Sequence, residues 1–418
     1  MSAPPGWRRS APVRHPERVP EPPPLFDAFP EQYFAGILAA AAAARAQPGP
    51  PLVDLGRGNP DLPPPGHAIE ALRAAAADTA GVAIHGYPPF SGLPDLRAAI
   101  AEHYAREHGV ALDPDREVAV VPGTKTAIML ATLATAGPGD GVLLPDPGYP
   151  DYRSAVALAA AREVPLPLDP AARHQPDFDA VPAAERERAR LLVLNYPSNP
   201  CAVCAAPGTF EAAVAFAHAH GTWLLNDLAY GFLAFDGRRA ASVLETEGAR
   251  DVAIELWSPS KIYGMAGWRI GFAVGAAELV GRIQTLLDHT TAGVFSALQH
   301  GLIAALRGDQ AHVATRREVY RLRRDALVGT LRAAGAEIDA PEGTFYAWWR
   351  PPAGLDAGRL LREHRVAVAP GAGFGARGAG WVRLSLALPD TEVAVGANRV
   401  AQAVAGVLSE RARAAPSP

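Results

Sequence analysis

The chain carries the stretch VAIELWSPSKIYGMAGWR at residues 252–269. Its first six residues, Val252–Trp257, form a short apolar run that is typical of a buried β-strand. The segment that follows places Lys261 just after two serines and eight residues before Arg269. A lysine that lies beside other cations and away from water has a lowered pKa and can attack a carbonyl group. The stretch therefore predicts a strand with a nucleophilic lysine at its carboxyl end.

The same pattern, a short apolar strand followed by polar residues marked by Gly or Pro, recurs at earlier points. The predicted strands are Glu117–Val121, Gly141–Leu144, Leu191–Asn195 and Trp223–Asn226. Helical stretches such as Thr124–Thr135 separate them. Short strands that alternate with helices predict an α/β fold with a mostly parallel sheet. Open sheets of this kind bind their ligand at the carboxyl ends of the strands, where these polar residues lie.

The chain changes character on both sides of this region. Residues 1–24 are rich in Pro and Arg and predict a disordered leader. From Leu25 to Ala46 the apolar spacing predicts a helix at the start of the folded part. Towards the C-terminus the sequence predicts a smaller α+β domain. It contains a long Arg-rich helix at Arg316–Leu331 and three short strands, at Thr344–Trp349, Val366–Ala369 and Trp381–Leu386.

These changes of character predict four parts of the chain. The leader covers residues 1–24, and an N-terminal arm at 25–65 contributes to the small domain. A large domain covers residues 66–295, and the small C-terminal domain covers 296–418.

Composition excludes several classes of protein. The 418 residues carry a formal net charge of −4, which argues against a nucleic-acid binder with a basic surface. No apolar run reaches 18 residues, so we expect no membrane span and a cytoplasmic location. Cys201 and Cys204 form a Cys-x-x-Cys pair without a second pair, which favours small, partly buried residues over a metal or redox site. No metal is expected.

The 39 basic residues include only two lysines, Lys125 and Lys261. Arginine stays protonated and cannot act as an amine nucleophile. One interpretation is codon bias towards arginine with two accidental survivors. The other is that these two positions need the chemistry of lysine.

Other polar residues lie at predicted strand ends, and each has two interpretations. Gly123 and Thr124, with Lys125, open a helix and could bind a phosphate or serve as an ordinary helix cap. Asp227, three residues before Tyr230, could pair with a protonated ring nitrogen or cap a helix.

Three further residues follow the same logic. Asn199 could donate a hydrogen bond, and Tyr149 could stack on a ring or belong to the core. Arg383 lies within an apolar strand, which is costly unless it is paired with a substrate carboxylate or with an internal one.

Taken in order, these motifs resemble the class I/II aminotransferases of the pyridoxal-phosphate fold type I group, over roughly residues 25–405. The matching stretches are Gly58–Asp61, Gly86–Tyr87, Gly92–Arg97, Pro145–Pro150, Asn195–Pro200, Asp227–Tyr230, Ser258–Arg269, Pro341–Tyr346 and Pro370–Gly375 with Arg383. The runs Tyr149–Tyr152 and Asp227–Gly237 are most similar to bacterial methionine-salvage, diaminopimelate and aspartate-type aminotransferases.

The resemblance implies a role for each residue. Lys261 would hold pyridoxal 5'-phosphate (PLP) as an internal aldimine, a Schiff base, and would shuttle the proton. Asp227 would pair with the ring nitrogen, Tyr230 and Asn199 with the ring hydroxyl, and Tyr149 would stack on the ring. The remaining residues would bind the phosphate (Gly123, Thr124, Lys125, Ser258, Arg269), reach the phosphate of a neighbouring subunit in a homodimer with shared active sites (Tyr87), or bind the substrate (Gly58, Asn199, Arg383).

The chain departs from the family pattern at three places. The family usually reads Asn-Pro-Thr-Gly where this chain has Asn199-Pro200-Cys201-Ala202, and losing the glycine removes backbone freedom. Relatives often have His where this chain has Asn226. Pro259 lies inside the Ser-x-Ser-Lys run.

The leading hypothesis is an aminotransferase that exchanges an amino group between an L-amino acid and a 2-oxo acid by a ping-pong mechanism. The alternative keeps the cofactor but performs elimination, replacement or carbon–carbon bond formation in secondary metabolism. A ligand-sensing regulatory domain is disfavoured because Lys261 and its partners remain and no DNA-binding segment precedes the fold.

Overall fold

A computed structural model describes residues 24–79 and 84–414. The predicted leader, residues 1–24, lies outside the described residues except for Pro24. No helix in the described ranges is long and apolar enough to cross a membrane.

The α-helices lie along the whole of the described chain. In order they are α1 (Tyr33–Arg45), α2 (Gly66–Ala77), α3 (Pro94–His108), α4 (Thr124–Thr135), α5 (Asp151–Leu158), α6 (Ala183–Arg188), α7 (Thr209–His220), α8 (Ala249–Val252), α9 (Pro259–Ile262), α10 (Ala277–Thr290), α11 (Ser296–Arg307), α12 (Ala311–Ala333), α13 (Ala357–His364) and α14 (Asp390–Ala414). Short 3₁₀ segments occur at Pro24–Ala28, Val243–Glu245, Ala266–Trp268, Gly371–Phe374 and Ala376–Gly378.

The β-strands are two to eight residues long. In order they are β1 (Val53–Asp54), β2 (Val118–Val121), β3 (Gly141–Asp146), β4 (Arg162–Asp169), β5 (Gln175–Pro176), β6 (Ala189–Leu194), β7 (Trp223–Asp227), β8 (Ala253–Trp257), β9 (Gly271–Gly275), β10 (Tyr346–Trp349), β11 (Val366–Ala367), β12 (Ala369–Pro370) and β13 (Val382–Ser385).

The main sheet has eight strands in the order β2-β9-β8-β7-β6-β3-β4-β5. The pairs from β8 through β7, β6 and β3 to β4 are parallel, whereas β9 pairs antiparallel with both β2 and β8. The predicted α/β fold with a mostly parallel sheet is therefore confirmed. The antiparallel strand β9 was not predicted, because its five residues follow a loop without a strand-ending motif.

Both faces of this sheet are buried. Along β6, Leu192 and Leu194 belong to one hydrophobic cluster, whereas Leu191 and Val193 belong to another on the opposite face. This alternation follows from the two-residue period of a strand. Helices pack on each face, so the carboxyl ends of the strands are the part of the sheet that is open to a ligand.

A third hydrophobic cluster lies beside the main sheet and involves the C-terminal part of the chain. A three-stranded antiparallel sheet, in the order β10-β13-β12, packs there with helices α12 and α14. The short strand β1 pairs in parallel with β11, which joins the N-terminal arm to this region. The α12 and β10 to β13 segments occupy the places where the sequence predicts helix and strands.

Candidate active site

A cavity of about 280 Å³ lies at the carboxyl ends of the parallel strands. Helix α1 covers one side of it, and the first turn of α4 forms another. The side chains of Lys125, Tyr149, Asn199, Asp227 and Lys261 line this single cavity, although they are far apart in the sequence. The structure therefore brings together most of the residues that the strand-end pattern indicates.

Lys261 lies in α9, a single turn directly after β8. Ser258 caps this turn, because its hydroxyl oxygen accepts a hydrogen bond from the backbone N–H of Ser260 at 3.2 Å. Burial, together with the positive charges of Arg383 and Arg269, lowers the pKa of Lys261 to about 8. The amine is therefore far more available in its neutral, nucleophilic form than an exposed lysine.

Asp227 ends β7, and its carboxylate is buried. Burial raises the pKa of Asp227 to about 6, although three neighbours oppose the shift. These are Tyr152, whose hydroxyl donates to Oδ2 at 3.0 Å, the backbone N–H of Ala229, which donates to Oδ1 at 3.2 Å, and Lys261. A carboxylate that is kept dry in this way interacts strongly with any cation brought against it.

Tyr230 and Gly58 lie close to the hydroxyl of Tyr346. The hydroxyl oxygens of Tyr230 and Tyr346 are 3.5 Å apart, and burial raises the pKa of Tyr230. A Cβ atom on residue 58 would lie 2.0 Å from the Tyr346 hydroxyl, so only glycine fits there. The Gly58 carbonyl accepts a hydrogen bond from Lys261 Nζ at 3.4 Å.

Arg383 is fully buried within β13. Its guanidinium donates to Asn199 Oδ1 at 2.8 Å and to the Gly56 carbonyl at 3.2 Å. Its central carbon lies 3.9 Å from the centre of the Tyr346 ring. Of the ion pairs between described residues, none involves Arg383, and its Nε has no hydrogen-bond partner among them. Within residues 24–79 and 84–414 the internal salt bridge that the sequence left open is thus not formed, which leaves this arginine able to pair with the carboxylate of a ligand.

The start of α4 forms a candidate anion cradle. Gly123 precedes Thr124, the first residue of the helix, with a backbone φ of +85°. A Cβ atom on residue 123 would lie 2.5 Å from an Arg269 nitrogen, so the absence of a side chain lets the guanidinium approach the helix start. Free backbone N–H groups at a helix N-terminus, together with an arginine, are typical of phosphate sites.

The two lysines have different surroundings. Lys125 is half-exposed, and its Nζ forms an ion pair with Asp151 at 2.9 Å. The Tyr149 hydroxyl donates a hydrogen bond to the same carboxylate. The side chain of Lys125 therefore has a carboxylate partner, whereas that of Lys261 has cations and aromatic rings around it.

Comparison with known proteins assigns this site to a family. The family model for aminotransferase class I and II matches residues 50–400. The chain belongs to the class I and II aminotransferases. It is 40% identical over 376 residues to an L-glutamine--4-(methylsulfanyl)-2-oxobutanoate aminotransferase of Bacillus subtilis, covering 89% of this chain and 94% of that protein.

Two further similarities support the assignment. The chain is 42% identical to an LL-diaminopimelate aminotransferase of Desulforudis audaxviator, over 86% of this chain and 92% of that one. The apo structure of BacF from B. subtilis superposes with a TM-score of 0.86 and 36% identity, covering 92% of this chain and 98% of that structure. The resemblance to fold type I aminotransferases is confirmed.

The protein is accordingly a PLP-dependent aminotransferase, which exchanges an amino group between an amino acid and a 2-oxo acid. The donor set fits the cofactor: a buried amine with a lowered pKa, a buried carboxylate and a candidate phosphate cradle face one cavity. The alternative of elimination, replacement or carbon–carbon bond formation is not favoured by these relatives.

The residues that depart from the family pattern, Cys201, Ala202, Asn226 and Pro259, do not line the cavity. Ala202 keeps a left-handed backbone, with φ of +59°, at a cost of about 1 kcal/mol for a residue with a Cβ. Asn226 points away from Asp227 and donates to Glu255 at 2.8 Å. Pro259 is the first residue of α9, where its fixed φ suits a helix and no backbone N–H is needed.

Tyr87 is not brought into the cavity by this chain. It is 87% exposed, and its assigned role needs a neighbouring subunit. The Cys-x-x-Cys pair has one buried and one half-buried thiol, both free. No group of three or more potential ligands in the described parts of the chain is placed to hold a metal.

Sequence reasoning gave no role to Tyr152, Tyr346 or Phe34. Tyr152 and Tyr346 fall in stretches that resemble the family, and their tyrosine hydroxyls were the available signal. Phe34 lies in α1, and nothing in its local sequence indicates that the helix folds back over the cavity. These three residues contact Asp227 or Arg383.

Proposed function

We propose that this aminotransferase binds PLP through Lys261 and the substrate carboxylate through Arg383. The observation that carries the proposal is that Lys261 and Asp227 line one cavity, while Arg383, which has no ion pair with any described carboxylate, lies directly behind its lining residues Asn199 and Tyr346. The remaining roles that we propose are pairing with the ring nitrogen (Asp227), hydrogen bonding to the ring hydroxyl (Tyr230, Asn199), stacking (Tyr149), phosphate binding (Gly123, Thr124, Lys125, Ser258, Arg269) and substrate binding beside Arg383 (Gly58, Asn199).

When bound, PLP supplies an electron sink that makes the substrate Cα–H acidic. Lys261 Nζ takes that proton and returns it, which its lowered pKa favours near neutral pH. The carboxylate of Asp227 is shielded from water and is ionised above about pH 6, so its negative charge would stabilise the protonated form of the ring nitrogen. Arg383 orients the substrate through its carboxylate, and the Gly58 carbonyl holds the amine of Lys261.

The attachment of PLP tests this proposal. Borohydride reduction of the holoenzyme, followed by peptide mass spectrometry, should place the cofactor on Lys261. The Lys261→Ala variant should carry none, whereas Lys125→Ala should still be modified at Lys261. Modification of Lys125 alone, or retention of covalent cofactor in Lys261→Ala, would overturn the assignment.

We also propose that the active form is a homodimer in which Tyr87 completes the partner's site. Support comes from exposed apolar and aromatic side chains that a second copy would cover. They are Phe26, Phe29, Tyr87, Phe90 and Phe295. Exposed apolar side chains mark an interaction surface when they form one contiguous patch.

Hybrid dimers test the sharing of sites. Lys261→Ala and Tyr87→Ala should each be weakly active alone. When they are mixed, one site of each hybrid combines a native Lys261 with a native Tyr87 and regains activity. Light scattering should show a dimer throughout. A monomer, or hybrids no more active than their parents, would contradict the proposal.

The division into a large PLP-binding domain at residues 66–295 and a small domain at 296–418, with the arm at 25–65, also stays a proposal. The separate hydrophobic clusters support it. We further propose a cytoplasmic location, which the two free thiols favour. Limited proteolysis and cell fractionation test the two statements.

A further inference from the structure

Asp151 connects three parts of the cavity wall. Its carboxylate is buried, with 5% of the residue exposed. Oδ2 forms an ion pair with Lys125 Nζ of α4, at 2.9 Å, and accepts a hydrogen bond from the hydroxyl of Tyr149. Oδ1 accepts from Gln32 Nε2 at 2.8 Å. A buried carboxylate with three donors is stable in this position, and it fixes each donor in turn.

Gln32 uses both ends of its side-chain amide. Its oxygen accepts hydrogen bonds from the backbone N–H groups of Phe34 and Ala35, at 2.8 and 3.2 Å, and so caps α1. Its nitrogen donates to Asp151. Because an ionised carboxylate only accepts, this orientation of the amide is the one that satisfies both ends. The residue therefore joins the start of α1 to the first turn of α5.

Helix α1 carries Phe34 to the substrate side of the cavity. The Phe34 ring lies 5.5 Å from the guanidinium carbon of Arg383 and 6.0 Å from the Tyr149 ring, centre to centre. Ile37 and Leu38 of the same helix also line the cavity. The position of α1 thus decides how dry and how well enclosed Arg383 is, and a charge-assisted bond to a carboxylate is stronger in a dry site.

We propose that Gln32 is a positioning residue that holds α1, and with it Phe34, over Arg383 through its bond to Asp151. This inference rests on the proposed role of Arg383 in binding the substrate carboxylate. Asp151 anchors the bond and also holds Tyr149, so one buried carboxylate sets two walls of the cavity. Loss of the bond should loosen the substrate subsite and leave the proton transfer by Lys261 in place.

Two variants separate this bond from helix capping. Gln32→Ser keeps a good N-cap but is too short to reach Asp151. Gln32→Glu keeps the capping oxygen and places a carboxylate against Asp151. We expect both to speed hydrogen exchange in residues 33–45 of the holoenzyme, and to raise the KM for an amino donor, roughly tenfold, with kcat within about twofold of wild type.

A second-site change tests the pairing directly. Adding Asp151→Asn to Gln32→Glu reverses the donor and the acceptor. The amide introduced at position 151 can donate to the carboxylate introduced at position 32, while the amide oxygen still accepts from Tyr149 and Lys125. The double variant should recover most of the exchange protection and most of the wild-type KM. The matched control is Gln284→Glu, which breaks a surface bond to Asp288 of 2.7 Å and should change neither quantity.

The outcomes are distinct. Wild-type exchange and KM in both Gln32 variants would overturn the positioning role, as would a double variant no better than Gln32→Glu. If wild-type enzyme transfers no amino group from a broad panel of donors, the proposed function fails. In that case hydrogen exchange still decides whether Gln32 holds α1.

Discussion

The two lysines lie on opposite walls of one cavity and have opposite surroundings. The Lys261 wall consists of the ends of β7 and β8, and its lysine is partly buried and feels the positive charges of Arg383 and Arg269. The Lys125 wall consists of the first turn of α4 together with Tyr149, and the side chain of its lysine is 44% exposed and paired with Asp151. The same residue type is thus an amine with a lowered pKa on one wall and an ion-paired cation on the other.

The difference shows that burial and neighbouring charges together decide the chemistry of each lysine. Asp151 lies within ion-pair distance of Lys125, at 2.9 Å. Asp227 is the carboxylate nearest to the chemistry of Lys261, but its attraction is outweighed by burial and by the two arginines. Burial and nearby cations lower the pKa of Lys261 and favour its nucleophilic form. A nearby carboxylate instead holds Lys125 in an ion pair.

The largest difference in kcat should be seen when the two lysines are replaced, one at a time, with arginine. Lys261→Arg keeps the charge but loses the nucleophilic amine, so kcat should fall by roughly 10⁴-fold. Lys125→Arg can still pair with Asp151, so kcat should stay within about threefold of wild type. Steady-state kinetics with one amino donor and one 2-oxo acid measures both. Equal losses would remove the distinction between the walls.

Replacing the carboxylates Asp227 and Asp151 should also lower kcat more on the Lys261 wall than on the Lys125 wall, but the difference should be smaller than for the lysines. Asp227→Asn removes the charge that holds the ring proton, and kcat should fall by roughly 10³-fold. Asp151→Asn keeps an acceptor for Tyr149 and Lys125, so kcat should fall less than about tenfold. Thermal unfolding of both variants checks that they are folded. A larger kcat loss in Asp151→Asn would reverse the comparison.

The smallest and most diagnostic effect is on the stability of the apoenzyme. In the folded chain burial lowers the pKa of Lys261 to about 8 from an ordinary value of 10.5. The unfolded chain therefore binds this proton more tightly, and folding is penalised at any pH below about 8. The penalty fades as the pH rises from 8 towards 10.5.

Methionine at position 261 removes that penalty. Lys261→Met should raise the free energy of unfolding below pH 8 by up to about 3 kcal/mol, and the gain should shrink between pH 8 and 10.5. Lys125→Met should instead destabilise the protein, because it leaves the buried Asp151 without its cation. Urea unfolding at several pH values measures both, and a destabilising Lys261→Met at pH 7 would contradict the expected sign.

The central sheet and the main cavity residues could be predicted from the sequence for one physical reason. In a parallel sheet, every strand brings the residue after it to the same edge, so Asp227 and Lys261 must be neighbours. The antiparallel strand β9 was not predicted from the sequence, because no polar motif follows it. Strand β4 was not predicted either, because Pro165 and Pro167 interrupt its sequence pattern, although the residues that alternate with them are buried.

The rest of the site depends on contacts between distant segments. Tyr152 reaches Asp227 across 75 positions of the chain, and Gln32 reaches Asp151 across 119. Nothing local to α1 indicates this, because its exposed alanines and apolar residues suit a helix in many surroundings. The packing of α1 over the cavity is therefore a property of the folded chain and not of any motif.

Because the chain has only two lysines, cleavage after lysine can show whether Lys261 carries a covalent group. An endoproteinase that cuts only after lysine has two sites in the whole chain and releases residues 1–125, 126–261 and 262–418. A covalent group on Lys261 blocks the second cut and leaves one fragment of residues 126–418. In the native state, an amine-labelling reagent meets a Lys125 that is ion-paired with Asp151 and a partly buried Lys261 with a lowered pKa. Fragment lengths on a gel thus measure cofactor loading without a spectrometer.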